Sequence, residues 1–378
     1  MSVLEQASLV AIPSGYKASK LYSVVPSTGA GDLTFSRSTT ATRVNESGLI
    51  ETVAINTPRL DFTGGGCGKY LFEPQRTNTI PYSNDFSKYT ESAITQQAGF
   101  LSPDGGNNAT KISGTIGSSF LYYSGVASES GSRSIWARTV SGTGIANLTS
   151  HNSNTNNSFT ITEEWQRFEL TSSNSTGASS FYAVDFRGTT NLSEIILFQA
   201  QNEDADYVTS NIFTDGSTVT RTADTSSTSG LSSVINSVEG VFMVGIAALA
   251  NSGGNRIISL SDGSSNSRLI IYYDSTANKV LVYCRFNGGN QAIMNYTITD
   301  ATVLHKVAVR YRENDYSLWI NGVERDTDTL GLTFTANTLD TFSTADGDTT
   351  GSPFFGKISE IVLADYLTDT QMAALTTI

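Results

Sequence analysis

The sequence predicts an all-β protein, and three observations carry that reading. Charged residues make up only 15% of the 378 residues, while Gly, Ser, Thr and Asn abound. Such a composition suits many short strands joined by tight polar turns. Apolar residues come in short alternating runs, spaced roughly as in a β-sandwich. Gly- and Pro-marked turns separate these runs. A chain of this length has room for two domains and a smaller additional region.

Residues 1–78 read as the first unit. Its apolar residues form short runs, Leu9-Val10-Ala11-Ile12 and Leu21-Tyr22-Ser23-Val24-Val25, with turns at Pro13-Ser14-Gly15 and Ser27-Thr28-Gly29. No helical period of useful length appears. An extended segment is expected, with a few strands that need a partner to bury their apolar side. Thr63-Gly64-Gly65-Gly66 marks a turn, and no Gly-Lys-Ser/Thr follows it at the spacing of a phosphate-binding loop.

Residues 79–224 read as the second unit. Its expected strands include Phe120–Val126, Ser132–Arg138, Trp165–Leu170 and Phe181–Phe186. In the second of these, Ile135 and Ala137 take one side, and Ser134, Trp136 and Arg138 the other. Residues 225–230, TSSTSG, read as a linker. Residues 231–378 form the third unit. Its strands are expected at Val241–Ala247, Arg256–Leu260, Arg268–Tyr273, Lys279–Tyr283, His305–Tyr311 and Gly356–Leu363. Tyr316–Glu324 reads as a hairpin, with Asn321-Gly322 as its type I′ turn. A short helix closes the chain from Thr368 to Leu375, with Thr368 as N-cap and Asp369 in its first turn.

Charge and cysteine count exclude several classes. The net charge of −12 disfavours phosphate binding, which needs clustered Lys and Arg, and so disfavours nucleic acid. It also disfavours electrostatic docking on anionic lipid. No apolar run reaches the roughly 20 residues that span a bilayer, so no membrane insertion is expected. The N-terminus has no basic region and only a short apolar patch, and does not read as a secretory signal. Cys67 and Cys284 are too few for a disulfide scaffold or a Cys-rich zinc site. They read best as two small buried hydrophobes, with a single bridge between them left open.

Three resemblances add to this reading. The block Leu33–Asn78 contains Arg37, Ala41-Thr42-Arg43-Val44-Asn45, Gly48-Leu49-Ile50, Asn56-Thr57-Pro58-Arg59 and Phe72-Glu73-Pro74-Gln75-Arg76-Thr77-Asn78. It resembles a segment that recurs in tail- and fibre-associated structural proteins of tailed bacteriophages. The resemblance implies a virion component made in host cytoplasm, attached to other virion proteins through residues 1–78. It also implies a homo-oligomer of fibre type, often a trimer. Thr162–Phe168, Phe198–Glu203, Tyr207–Ser210 and Thr218–Asp224 are similar to parts of jelly-roll carbohydrate-binding modules. The Tyr316–Glu324 hairpin, the strand Gly356–Leu363 and the closing helix are similar to concanavalin-A-like (laminin-G-like) lectin domains. An N-terminal attachment segment, a jelly-roll β-sandwich and a concanavalin-A-like β-sandwich are therefore expected.

The residues available for chemistry point to binding, and no enzyme is expected. The two histidines, His151 and His305, lack a nucleophile elbow. Glycoside cleavage needs two suitably placed carboxyls, and the third unit contains no Glu-x-Asp-x-Glu, the strand pattern carried by glucanases of the concanavalin-A-like fold that it resembles. Glu163 and Glu164 are adjacent and face opposite sides, and Asp204 and Asp206 fall at a domain exit. Asp346 and Asp348 lie in an acidic loop whose oxygens would suit calcium. An EF-hand does not fit, because Lys357 stands at the twelfth position. No other cofactor is expected. Sugar recognition uses aromatic platforms beside amides and carboxylates. Trp136, Tyr122, Tyr123, Tyr182, Tyr272, Tyr273 and Tyr283 are the available rings. Arg285, Asn287, Asn290 and Gln291 surround Gly288-Gly289 and could line a lectin-like rim. The candidate glycan contacts are therefore Arg285, Asn287, Asn290, Gln291, Tyr272, Tyr283 and Trp136. The expected function is attachment to host surface glycan. The competing reading is a capsid or tail decoration, or a spacer, that binds nothing.

Overall fold

The computed structural model describes residues 3–13, 19–126, 130–150, 157–174, 181–251 and 253–378. The described chain is all-β, with one α-helix, Asp369–Thr376. The expected strands form where apolar and polar residues alternate. Arg268–Tyr273 has the predicted bounds, and Gly240–Ala248, Arg256–Ser261 and Gly356–Ala364 extend theirs by one or two residues. Asn321 and Gly322 take φ of 51° and 81°, as the expected type I′ turn requires. Thr368 caps the helix, accepting from the Gln371 N–H, and the Gln371 side chain completes a capping box. No helix among the described residues is long and apolar enough to cross a membrane.

The division into units differs from the expected one. Residues 1–39, 53–74 and 223–378 form one compact unit, and residues 40–52 and 75–222 form another. The first 78 residues are therefore not a separate segment. In the first unit, Ala7–Ala11 pairs antiparallel with Gly356–Ala364, and so does Lys69–Phe72. The supposed linker is also structured. Thr225–Thr228 is a strand between Leu33–Ser36 and Thr341–Ser343. The reason is local insufficiency. Strands of two to five residues cannot bury a face alone. They find partners far along the chain, as when Ser8 Oγ donates to the Val234 carbonyl at 2.5 Å.

Two sheets enclose the core of the first unit. Among the described residues, one runs in the order Val323–Asp328, Asp315–Ile320, His305–Arg312, Gly240–Ala248, Gly356–Ala364, Ala7–Ala11 and Ser23–Val25. The other runs Lys20–Leu21, Leu33–Ser36, Thr225–Thr228, Thr341–Ser343, Arg256–Ser261, Arg268–Tyr273, Lys279–Phe286 and Gly289–Thr297. Leu33, Phe35 and Phe72 join Phe242, Ile258, Leu269, Val282 and Met294 in one buried cluster. Cys284 lies in it, and burial pushes its thiol up to about 12. Cys67 is exposed instead, so only one cysteine is a buried hydrophobe, and both are free.

Arg37, Arg59, Glu73 and Asp224 form a buried charged group within the same unit. Arg37 Nη1 donates to Asp224 Oδ1 at 2.9 Å, and Arg59 Nη1 to Glu73 Oε2 at 2.6 Å. Arg59 Nη2 also pairs with Asp224 Oδ2. The Glu73 N–H donates to Asp224 Oδ2 at 2.8 Å. Two cations and two anions balance, which is what makes burial of such groups tolerable. Burial opposes the charge of Arg59, but Asp224 and Glu73 outweigh it and hold its pKa above the usual value.

The second unit is a sandwich of two five-stranded antiparallel sheets. One contains Thr90–Ser92, Phe120–Ser124, Phe181–Asp185, Gly144–Ser150 and Ser158–Ile161 in that order. The other runs Ile94–Phe100, Ala109–Gly114, Glu194–Glu203, Ser130–Arg138 and Gln166–Asn174. Ile135 and Ala137 face the core between them, as their alternation predicts. Asn78 is fully buried and satisfies its whole amide. Its Nδ2 donates to the carbonyls of Ala200 and Ile212, and its Oδ1 accepts from the N–H groups of Ile80 and Asn202.

Candidate functional site

The open face of the second sheet in the first unit gathers most of the candidate residues. Its inner side is set by Leu269, Ile271 and Tyr273, and by Val280, Val282 and Cys284 on the next strand. Strand alternation then turns Arg268, Ile270 and Tyr272 outward, beside Leu281, Tyr283 and Arg285. Register decides the neighbours. Arg268 lies opposite Arg285, Ile270 opposite Tyr283, and Tyr272 opposite Leu281. On the edge strand, Ile293 faces Tyr283 and Asn295 faces Leu281.

The loop after Thr341–Ser343 walls this face on one side. Ser259 Oγ donates to the Ala345 carbonyl at 2.7 Å, and Ser261 Oγ to that of Gly347 at 2.9 Å. The loop has no room for a side chain at Gly347, where a Cβ would lie 2.4 Å from the Ser264 carbonyl oxygen. Asp346 reaches Arg268 at 2.8 Å, and the Arg268 guanidinium carbon lies 5.6 Å from the centre of the Tyr283 ring. The Tyr283 hydroxyl donates to Asn290 Oδ1. Burial, then Asp274 and Tyr283, push the Tyr272 hydroxyl above the usual phenol range. It stays a neutral donor at pH 7. The face thus offers two tyrosine rings, apolar area from Leu281 and Ile293 beside a buried Ile270, amides, and two guanidinium groups.

The expected Gly-Gly rim takes a tighter form. Asn287 and Gly288 have φ of 49° and 78°, so they make the two-residue turn of a hairpin. A Cβ on Gly288 would meet nothing of the protein within 4 Å, so the positive φ, not crowding by neighbouring residues, favours glycine here. A register shift then puts Asn290 rather than Gln291 opposite Arg285. Gln291 braces a neighbouring segment, accepting from the Leu332 N–H at 3.0 Å. Asn287 is exposed at the tip.

The other candidates lie elsewhere. Trp136 belongs to the second unit and packs, half-buried, against a cluster of Ile50, Ala109, Ile196 and Phe198. Tyr182 and Tyr273 are buried, and Tyr123 packs on the core of its own unit. Asp348 Oδ1 accepts from the N–H groups of Thr350 and Gly351, at 3.0 and 3.1 Å. Those bonds, the one from Thr350 first, hold its carboxyl below the usual range. Asp346 is held by Arg268, so the acidic loop spends both carboxylates on protein donors. No group of three or more His, Cys, Asp or Glu residues that could hold a metal occurs among the described residues. His305 is buried with Nδ1 2.9 Å from the Val303 carbonyl, and His151 lies outside the described residues.

No protein-family model and no curated protein matches the chain. Several solved structures do. One is the CBM40 of a Ruminococcus gnavus IT-sialidase bound to α2,3-sialyllactose. It has 19% identity and a TM-score of 0.33, over 38% of this chain and 84% of that one. Another is domain 4 of AbnA, a GH43 arabinanase of Geobacillus stearothermophilus, in complex with arabinotriose. It has 13% identity and a TM-score of 0.33, over 41% and 73% of the two chains. A third is the receptor-binding domain of a botulinum neurotoxin, mosaic serotype C/D, at 11% identity and a TM-score of 0.32. It covers 40% of this chain and 39% of that one. At these scores the likeness adds nothing to the fold read from the strands.

Sequence reasoning missed Arg268, Leu281 and Ile293. Arg268 shares its alternation with Tyr272, so its side was legible. Its place beside Tyr283 was not, because that depends on pairing register. A separate cavity of about 300 Å³ lies on the outer side of the other sheet, among Ala7, Val10, Val362 and Leu375. Its charged groups, Lys306 and Glu360, face each other at 3.1 Å.

Proposed function

We propose that this protein binds glycan through the outward face around Tyr272 and Tyr283, without turning it over. The observation that carries the reading is the convergence of two tyrosines, Asn290 and a held Arg268 on one open sheet face. Aromatic faces stack on the apolar sides of sugar rings, while amides and guanidinium groups serve the hydroxyls. Each polar contact contributes only about 0.5–1.5 kcal/mol, so one copy binds weakly. Several copies on one particle would compensate through effective concentration.

The setting we propose is the virion of a tailed phage, as the Leu33–Asn78 block implies, with the chain as a homo-oligomeric fibre- or tail-associated component. Attachment to other virion proteins through residues 1–78 would then use surfaces of the folded units to which these residues belong, not a free segment. The decoration reading competes with this one and is an outcome of the same experiment. Tyr272→Ala combined with Tyr283→Ala is expected to weaken binding to a glycan array about tenfold or more, with the circular dichroism unchanged. An array that the native protein leaves empty, with phage adsorption unaffected by the double change, rejects glycan binding and favours decoration. Release of reducing ends from a bound polysaccharide would show an enzyme instead.

A further inference from the structure

Arg285 is a cation whose charge this face leaves uncovered. It stands directly opposite Arg268 on the neighbouring strand. Like charges so placed repel each other. Asp346 compensates Arg268 at 2.8 Å. Among the described residues, no ion pair compensates Arg285. One of its terminal nitrogens donates to the Gly288 carbonyl at 2.8 Å, and its Nε is buried without a hydrogen-bond partner. Most of a five-donor fork is therefore unused. This occurs in a chain with 35 acidic and 23 basic residues.

Its neighbour Asn290 offers donors as well. The Asn290 Oδ1 accepts from the Tyr283 hydroxyl, which leaves the Nδ2 hydrogens to a ligand. Asn290 is exposed and lies opposite Arg285 across the hairpin. The pair thus presents N–H groups. A hydroxyl, which both donates and accepts, would use only part of this. A carboxylate only accepts, and its planar shape matches the guanidinium fork in two parallel bonds.

We infer that the face selects acidic glycans, seating a ligand carboxylate between Arg285 and Asn290. This rests on the reading of the same face as a glycan site. The test uses the full chain on immobilised polygalacturonate, alginate and polysialic acid, each beside its carboxyl-reduced form, with dextran sulfate as a further arm. At least one acidic polymer is expected to bind, its carboxyl-reduced form to lose binding, and added salt to weaken it. Arg285→Gln should lower that affinity about tenfold, and Arg285→Lys should restore part of it. Equal binding of acidic and reduced forms would overturn acid selectivity and leave the glycan face standing. Binding of dextran sulfate alone, or acidic binding that Arg285→Gln leaves unchanged, would also overturn the seat at Arg285. Absence of binding to every polymer, acidic and reduced, would overturn both readings.

Discussion

At the residue scale, the phage-like block has a structural account. Arg37, Arg59 and Glu73 belong to it, and all three meet Asp224 inside the first unit. They hold distant parts of the chain, since Arg59 and Asp224 are 165 residues apart. Removing one partner of such a group leaves charge buried without compensation. Asp224→Asn keeps the shape and removes one anion, so it should destabilise the first unit by about 3–5 kcal/mol. Urea unfolding followed by near-UV signal would check this. A midpoint unchanged from native would mean that the two arginines find other acceptors. Asn78, another block residue, serves the second unit in the same way through its four hydrogen bonds. The block's residues can thus be read as requirements of folding, and its link to a virion rests on resemblance.

At the element scale, period-two alternation was a reliable guide to strands, and turn chemistry to hairpins. Asn321-Gly322 was legible because few other dipeptides accept two positive φ angles. Asn287-Gly288 makes the same kind of turn, yet its chemistry invited a ligand reading. The local pattern is identical, and only the neighbouring register distinguishes a turn from a rim. Gly288→Val should destabilise the hairpin by about 1–2 kcal/mol, because a β-branched residue resists positive φ. The measurement is the thermal midpoint of the variant beside an Ile293→Val control. Equal midpoints would show that the turn is not under that constraint. The helix was legible for a related reason. Thr368 and Gln371 satisfy each other's backbone N–H groups, and Asp369 places an anion in the first turn, so the start signal is local.

At the scale of the whole molecule, domain boundaries were the least legible feature. Residues 1–78 read as an attachment segment because their short apolar runs showed no partner. The partners are Gly356–Ala364 and Thr225–Thr228, hundreds of residues away or nearly so. Deleting residues 1–78 should therefore unfold the first unit rather than free it, since strands and three members of the buried charge group leave together. The check is solubility and heat-capacity scanning of the truncated chain. A cooperative transition of native height for the first unit would contradict this. Limited proteolysis should likewise spare residues 225–230, because Thr225–Thr228 is paired on both sides.

The sequence by itself determined the all-β class, most strand positions, one hairpin turn and the capped helix. All of these follow from side-chain period, φ preference and capping within a few residues. It also supplied the tyrosines, Asn290 and Arg285 as candidates, through their chemistry alone. The tertiary structure decided which of them share a face, because register sets whether Arg268 stands by Tyr283 and Arg285 by Asn290. It decided that Asp346 holds an arginine, and that Cys284 is buried while Cys67 is not. It also decided that Arg37, Arg59, Glu73 and Asp224 form one buried group. Each of those outcomes depends on contacts between residues far apart in the chain, where local pattern carries no information.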